Sequence, residues 1–339
     1  MEAAAPELTP RRRALPLAAP RLAPRTVRIS LTDRCDLACV YCRPSRNDGY
    51  FERRLDDDAW KVMVRGLVQA GVRRVRITGG EPLLHPRVVE LVAFVASLGV
   101  EDLALTTNAT RLAGLARPLR DAGLSRLTVS LDSLVPERFW RITRGGRLDR
   151  VLEGVDAGLA AGFDELKTNT VVLRAENDDE LENIVTWAWA RGIVPRFIEL
   201  MRIGEGANLP ADKLVDAQAM RARLAHLLDA GEGERDPNRG PAKYVSARED
   251  PRLRVGFITG TTDTYCDSCD RLRVASDGTL RPCLATNDGV AAMSLAEAGD
   301  VGGLVRAIAQ AWEMKPDGAT WKGCTEVTAA DVSMRAIGG

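Results

Sequence analysis

The stretch VRISLTDRCDLACVYC, Val27 to Cys42, runs a strand pattern straight into three cysteines. Apolar and polar residues alternate through VRISL, as in a strand with one face in a core. Cys35, Cys39 and Cys42 follow with the spacing C-x3-C-x2-C, and the next cysteine is Cys266. A tetrahedral zinc site needs a fourth thiolate or an imidazole close by, and the neighbouring sequence offers neither. A four-iron four-sulfur (4Fe-4S) cluster held by three thiolates leaves one iron open to another ligand. If strands and helices continue in alternation, a loop at this position sits at the C-terminal mouth of a barrel, where such folds keep their chemistry.

The alternation does continue. Strands are expected at 27–32, 72–78, 101–107, 125–131, 165–173 and 194–200, with helical periodicity over 55–70, 87–98, 111–122, 147–162 and 177–191. The segment ENDDELENIV supplies Asn177 and Asp178 as the N-cap of the last helix. Six βα units in series imply an α/β fold whose parallel sheet curves into a partial (β/α)6 TIM-like barrel over residues 26–205. The rhythm stops near 201. A helix over 211–230, short strands around 243–247, 253–258, 271–275 and 279–283, and a helix near 301–314 point to a smaller α+β domain over 206–339.

Composition narrows the function classes. The 339 residues are 45% hydrophobic and 28% charged, as in an ordinary globular protein with a sizeable core. The 47 basic and 47 acidic residues cancel, so no general nucleic-acid footprint is present. No apolar run is long enough for a membrane helix. Residues 1–25, rich in Ala, Pro and Arg, read as a disordered tail; the alternative is an organellar transit peptide, against which the prolines speak. Without a secretory h-region the chain is expected to be cytoplasmic, with reduced thiols. Only two histidines occur, His85 and His226, so the seven cysteines dominate the metal chemistry. Six of them form two triplets, and Cys324 is left over as a plain thiol.

The second triplet is Cys266, Cys269 and Cys283, spaced C-x2-C-x13-C. It again implies a cluster with an open iron; zinc completed by Cys324 is the alternative. Between its ligands, DRLRVASDG places Arg271 and Arg273 on one face of a strand. Two guanidiniums beside an open iron suit bidentate anchoring of phosphate. Arg28, Arg74, Arg76, Lys167 and Arg196 also fall on strands, and together they would line one positive cavity suited to a nucleoside triphosphate. No G-x4-G-K-[ST] loop is present, so side chains would have to hold the phosphates.

With Tyr41 before its last cysteine, CDLACVYC resembles the signature of the radical S-adenosylmethionine superfamily. TGGEP (78–82) strengthens the likeness, since glycines there let backbone approach the methionyl group. Within the superfamily, LTDRCDLACVYC, RITGGEPLL, TTN, VSLDS, LKTNTVV with a following NDD, RFIELM, CDSCDRLRVASDG and the terminal IGG resemble the GTP 3′,8-cyclase family, over roughly residues 26–339. The resemblance implies two 4Fe-4S clusters. The first would cleave S-adenosylmethionine and the second would bind GTP through its guanine. The resulting radical would take the 3′ hydrogen of GTP, and attack on carbon 8 would give 3′,8-cyclo-7,8-dihydro-GTP, the first step of molybdenum cofactor biosynthesis.

The same resemblance assigns residues. Tyr41, Gly80, Glu81, Ser130 and Met201 would contact S-adenosylmethionine. Arg28, Arg76, Thr106, Lys167, Arg271, Leu272 and Arg273 would contact GTP, and Arg196, Gly338 and Gly339 would serve catalysis. An electron donor of the flavodoxin or ferredoxin type and a downstream pterin-forming enzyme would be partners of a monomer or homodimer. The chain departs from the family pattern at Arg43, Arg74, His85, Ala109 and Arg202. A related enzyme acting on another purine nucleotide or on a peptide, and a non-catalytic metal-binding scaffold, are the competing readings.

Overall fold

The six expected strands form, each within two residues of its expected ends. The computed structural model describes residues 23–47, 49–231, 233–235, 240–267, 269–316 and 334. In chain order, β1 (Thr26–Ser30), α1 (Asp57–Gln69), β2 (Arg74–Thr78), α2 (Val88–Ser97), β3 (Asp102–Thr107) and α3 (Ala116–Asp121) come first. Then follow β4 (Arg126–Ser130), α4 (Pro136–Thr143), α5 (Leu148–Ala161), β5 (Glu165–Val172), α6 (Leu181–Trp189) and β6 (Val194–Glu199). The remainder holds α7 (Glu205–Asn208), α8 (Ala217–Arg223), β7 (Glu234–Arg235), β8 (Lys243–Ser246) and β9 (Arg254–Ile258). It ends in β10 (Arg271–Val274), β11 (Thr279–Arg281), β12 (Val290–Ala291), α9 (Met293–Glu297) and α10 (Val301–Glu313).

Among the described residues, twelve strands belong to one sheet, ordered β12-β11-β10-β1-β2-β3-β4-β5-β6-β9-β8-β7. Its centre, from β10 through β1–β6 to β9, is parallel throughout. The strands after 205, expected in the smaller α+β domain, pair with this same sheet. β9 pairs with β6 and β10 with β1, so the C-terminal strands extend both edges of the first sheet. In addition α10, N-capped by Asp300, packs on α1, where Gly66 leaves room for Leu304.

Period-two alternation divides the strand residues. Val27, Ile29, Val75, Ile77, Leu127, Leu272 and Val274 face the helices and share one core with Trp60, Met63, Leu304 and Ile308. Each fully buried side chain of this size contributes about 1.5–3 kcal/mol. The alternate residues, among them Arg28, Arg76, Thr106, Lys167, Arg196 and Arg273, border a cavity on the other face. All eight parallel strands contribute to that border, which requires the sheet to curl around it.

Some local expectations fail for identifiable reasons. Asn177 and Asp178 do not cap α6, whose N-cap is Glu180 without a side-chain bond. The Asn177 amide instead bonds Leu173 N–H, Val171 O and Asp132 O, stitching the loop to the end of β5. Only 217–223 of the expected 211–230 helix forms as α-helix. α4, started by Pro136, lacks a long apolar stripe and went unforeseen. Ala109, where the family pattern has Gly, sits at φ +61°, a conformation that explains the usual glycine.

Candidate active site

The loop carrying Cys35, Cys39 and Cys42 crosses the C-terminal ends of the first four strands, and three of them fasten it directly. After β2, Gly80 N–H donates to Thr32 O (2.6 Å) and Glu81 N–H to Arg34 O (2.7 Å). A Cβ on Gly80 would lie 2.3 Å from Arg34 O, so glycine is required there by the cysteine loop itself. After β3, Asn108 Nδ2 and Thr110 Oγ1 each donate to Asp36 at 2.7 Å. After β4, buried Asp132 accepts from Tyr41 Oη at 2.6 Å. On the far side, Ala38 N–H and Val40 N–H donate to Thr143 O and Ile142 O of α4. The strand-end motifs thus converge on one loop.

The three thiols are half-buried and all border the cavity. Burial, and next the carboxylates Glu81 and Asp132, push the Cys35 and Cys39 thiols respectively upward. Thiolates are stable there only opposite positive charge, which iron supplies. Leu37 N–H (3.4 Å) and Asn108 Nδ2 (3.9 Å) donate to Cys35 Sγ, the kind of bond that tunes cluster ligands. Among the described residues no group of three His, Cys, Asp or Glu side chains converges to hold a single metal ion. A cluster that takes one thiolate per iron does not need such convergence. The loop fits a 4Fe-4S cluster.

Seven Arg and Lys side chains border the cavity against four Asp and Glu. In the strand register Arg273, Arg28 and Arg76 lie on one rung across β10, β1 and β2. Burial, then Arg273 and Arg271, lower Arg28 well below the ordinary guanidinium range. Burial and then Arg271 bring Arg273 down to about 10. Arg76 pairs with Asp102, and Lys167 with Glu165 at 2.8 Å. Arg196 Nη2 donates to Thr128 Oγ1 (3.2 Å), while its buried Nε has no hydrogen-bond partner among the described residues. Gly256 on β9 makes space for it, since a Cβ there would meet Arg196 Cγ at 2.8 Å. Crowded, partly uncompensated cations of this kind suit a polyanion.

Cys266, Cys269 and Cys283 border a second cavity, and Met201, Ile203, Tyr265, Arg271, Arg273 and Leu284 border both. Burial acts to raise the Cys269 thiol, but Arg271 and then Lys315 bring it down to about 6. Ala285 N–H donates to Cys283 Sγ at 3.4 Å. The donor set fits a second cluster by the same chemistry as the first.

Of the expected binding residues, Tyr41, Gly80, Ser130, Met201, Arg28, Arg76, Thr106, Lys167, Arg196, Arg271 and Arg273 all border the first cavity. Glu81 and Leu272 do not. Glu81 accepts from Leu83 N–H, Asn108 N–H and the Thr107 hydroxyl, so it braces the loop; burial pushes it up to about 7. The Leu272 side chain points into the core, one residue out of phase with its arginine neighbours. Arg74 also leaves the cavity and bonds Asp270 and Thr26 beneath it. Gly338 and Gly339 lie outside the described residues. Sequence reading overlooked Asp132, Glu199 and Lys315. Asp132 and Glu199 stand in quoted motifs, as acids at strand ends. Glu199, fully buried, accepts from Ala217 N–H, Thr261 N–H and Thr262 N–H and ties β6 to the segment leading to Cys266.

Two family profiles divide the chain. One described as Radical SAM superfamily matches residues 29–188, and one described as Molybdenum Cofactor Synthesis C matches 193–321. The chain is 40% identical over 298 residues to GTP 3′,8-cyclase 1 of Pseudomonas aeruginosa, covering 86% of this chain and 89% of that one. It is 41% identical over 262 residues to GTP 3′,8-cyclase of Heliobacterium modesticaldum, covering 76% and 80%. In fold it is similar to Streptococcus suis SuiB bound to its precursor peptide SuiA, with a TM-score of 0.62 at 16% identity over 90% of this chain and 67% of that one. With this level of identity over most of its length, the chain belongs to the GTP 3′,8-cyclase family of the radical S-adenosylmethionine superfamily.

Proposed function

We propose that this protein converts GTP to 3′,8-cyclo-7,8-dihydro-GTP, the first step of molybdenum cofactor biosynthesis. The observation that carries the proposal is a pair of cavities, each bordered by one cysteine triplet, with Arg271 and Arg273 in the wall common to both. When bound, the first cluster with S-adenosylmethionine supplies a 5′-deoxyadenosyl radical, and the second holds the guanine. Tyr41, fixed by Asp132, together with Gly80, Ser130 and Met201 would bind S-adenosylmethionine beside the first triplet. Arg28, Arg76, Lys167, Arg271 and Arg273 would hold the triphosphate, with Thr106 also contacting GTP and Arg196, on the same border, serving catalysis. In this reading residues 26–205 form the partial barrel, and 206–339 supply the second cluster and substrate contacts.

The double-glycine tail would reach the same space. Met334 borders the first cavity and, like Cys283, packs against the small cluster of Ile203 and Ala285. Gly338 is four residues on, within about 14 Å of extended chain. Electrons would come from a flavodoxin- or ferredoxin-type donor, and the product would pass to a pterin-forming enzyme in the cytoplasm. GTP is favoured over another purine because Arg43, Arg74, His85, Ala109 and Arg202, where the chain departs from the family, border neither cavity.

The test is anaerobic incubation of the reconstituted protein with GTP, S-adenosylmethionine and a strong reductant. About eight irons per chain and GTP-dependent 5′-deoxyadenosine are expected. Replacing Cys35, Cys39 and Cys42 by Ala should halve the iron and abolish 5′-deoxyadenosine. Stoichiometric zinc in freshly isolated protein would overturn the proposal.

A further inference from the structure

Lys315 lies two residues past the end of α10 and is almost fully buried, and its ammonium bonds outside its own helix. Nζ donates to Arg271 O at 2.8 Å and to Pro282 O at 2.7 Å. Arg271 lies two residues after Cys269, and Pro282 immediately precedes Cys283. One side chain therefore ties together the two segments that carry the second triplet. It borders the second cavity, and Nζ stands 5.1 Å from the ring centre of Trp312.

We propose that Lys315 is the positioning residue of the second cysteine triplet: it pins the Cys269 and Cys283 segments to each other and places a fixed positive charge beside their sulfurs. The inference rests on the two-cluster reading above. Both bonded carbonyls are neutral, and a buried ammonium needs an anionic neighbour as well. Among the described residues, the ionisable groups that act on the Lys315 ammonium are the sulfurs of Cys269 and Cys283 and the like-charged Arg271. The geometry separates two effects. The paired hydrogen bonds hold the ligand loops at cluster spacing, whereas the charge favours the reduced, more negative state of whatever cluster those loops hold.

Lys315→Gln and Lys315→Met distinguish these effects in the Cys35/Cys39/Cys42→Ala background, where iron reports on the second triplet alone. The Gln amide has two N–H donors for the two carbonyls but no charge. It should keep about four irons, while the reduced fraction at a fixed poise falls roughly tenfold, about 59 mV for a one-electron couple. Lys315→Met should lose most of that iron. In the otherwise unaltered chain the same Met variant should keep the iron of its first triplet, which separates local loss from misfolding. Parental iron content and parental midpoint potential in both variants would overturn the proposal. Absence of iron from the parental background itself would instead refute the two-cluster reading.

Discussion

Replacing Arg273 with Met keeps an unbranched apolar stem and removes the guanidinium, and with it one charge, from the most crowded part of the cavity. Arg273 and Arg28 are register partners on adjacent strands, and such strands lie about 4.8 Å apart. Two unit charges at that separation repel by about 3.5 kcal/mol at an effective dielectric constant of about 20. The repulsion is real only in part, because guanidiniums splay, but its sign agrees with the lowered pKa of Arg28, which burial and then Arg273 bring down. Ligand-free Arg273→Met should therefore melt no lower than wild type. GTP should bind more weakly by about 1.5–3 kcal/mol, the range of a charged hydrogen bond, or roughly 10- to 100-fold in Kd. S-adenosylmethionine affinity and iron content should hold. Arg271 differs, since it also stands over Tyr265 (4.7 Å) and beside Cys269, so Arg271→Met should lose second-cluster iron too. Anaerobic calorimetry with each ligand and iron determination would check both variants. Equal loss of GTP and S-adenosylmethionine binding by Arg273→Met would show that this arginine is structural and refute the reasoning.

Glu199→Ala leaves three backbone N–H groups without their carboxylate and should destabilise the protein by about 3–5 kcal/mol; an unchanged denaturant midpoint would count against its bracing role. Asp132→Ala frees the Tyr41 hydroxyl and should weaken S-adenosylmethionine binding about tenfold, on the order of 1.4 kcal/mol. GTP affinity in Asp132→Ala should stay level, as measured by the same calorimetry. Gly338→Ala or Gly339→Ala should leave iron content, melting temperature and GTP affinity nearly unchanged while cyclised product falls at least about tenfold. Full product yield from a chain ending at Ile337 would assign the tail no catalytic part.

The strands were legible because alternation separates Val27 and Ile29 from Arg28, and the first triplet because its spacing is short and local. The C-terminal strands were legible as strands but their partners were not, since the pairing of Arg196–Ile198 with Gly256–Ile258 joins segments far apart in sequence. No local pattern in a five-residue strand reveals which edge it will join. Gly79 and Gly80 were read as space for a ligand, and the first thing that space admits is the cysteine loop. Asp132, Glu199 and Lys315 escaped notice for a common reason. A lone polar residue at the end of an element gives no sign of its partners until the fold brings them together.

The central claim concerns hydrogen transfer from one carbon of one substrate, and GTP carrying deuterium at C3′ tests it most directly. In an anaerobic turnover of the reconstituted protein with S-adenosylmethionine, mass spectrometry should find one deuterium in 5′-deoxyadenosine. The cyclised nucleotide formed alongside should have lost its 3′ label. Unlabelled 5′-deoxyadenosine together with unconverted, fully deuterated GTP would contradict the account.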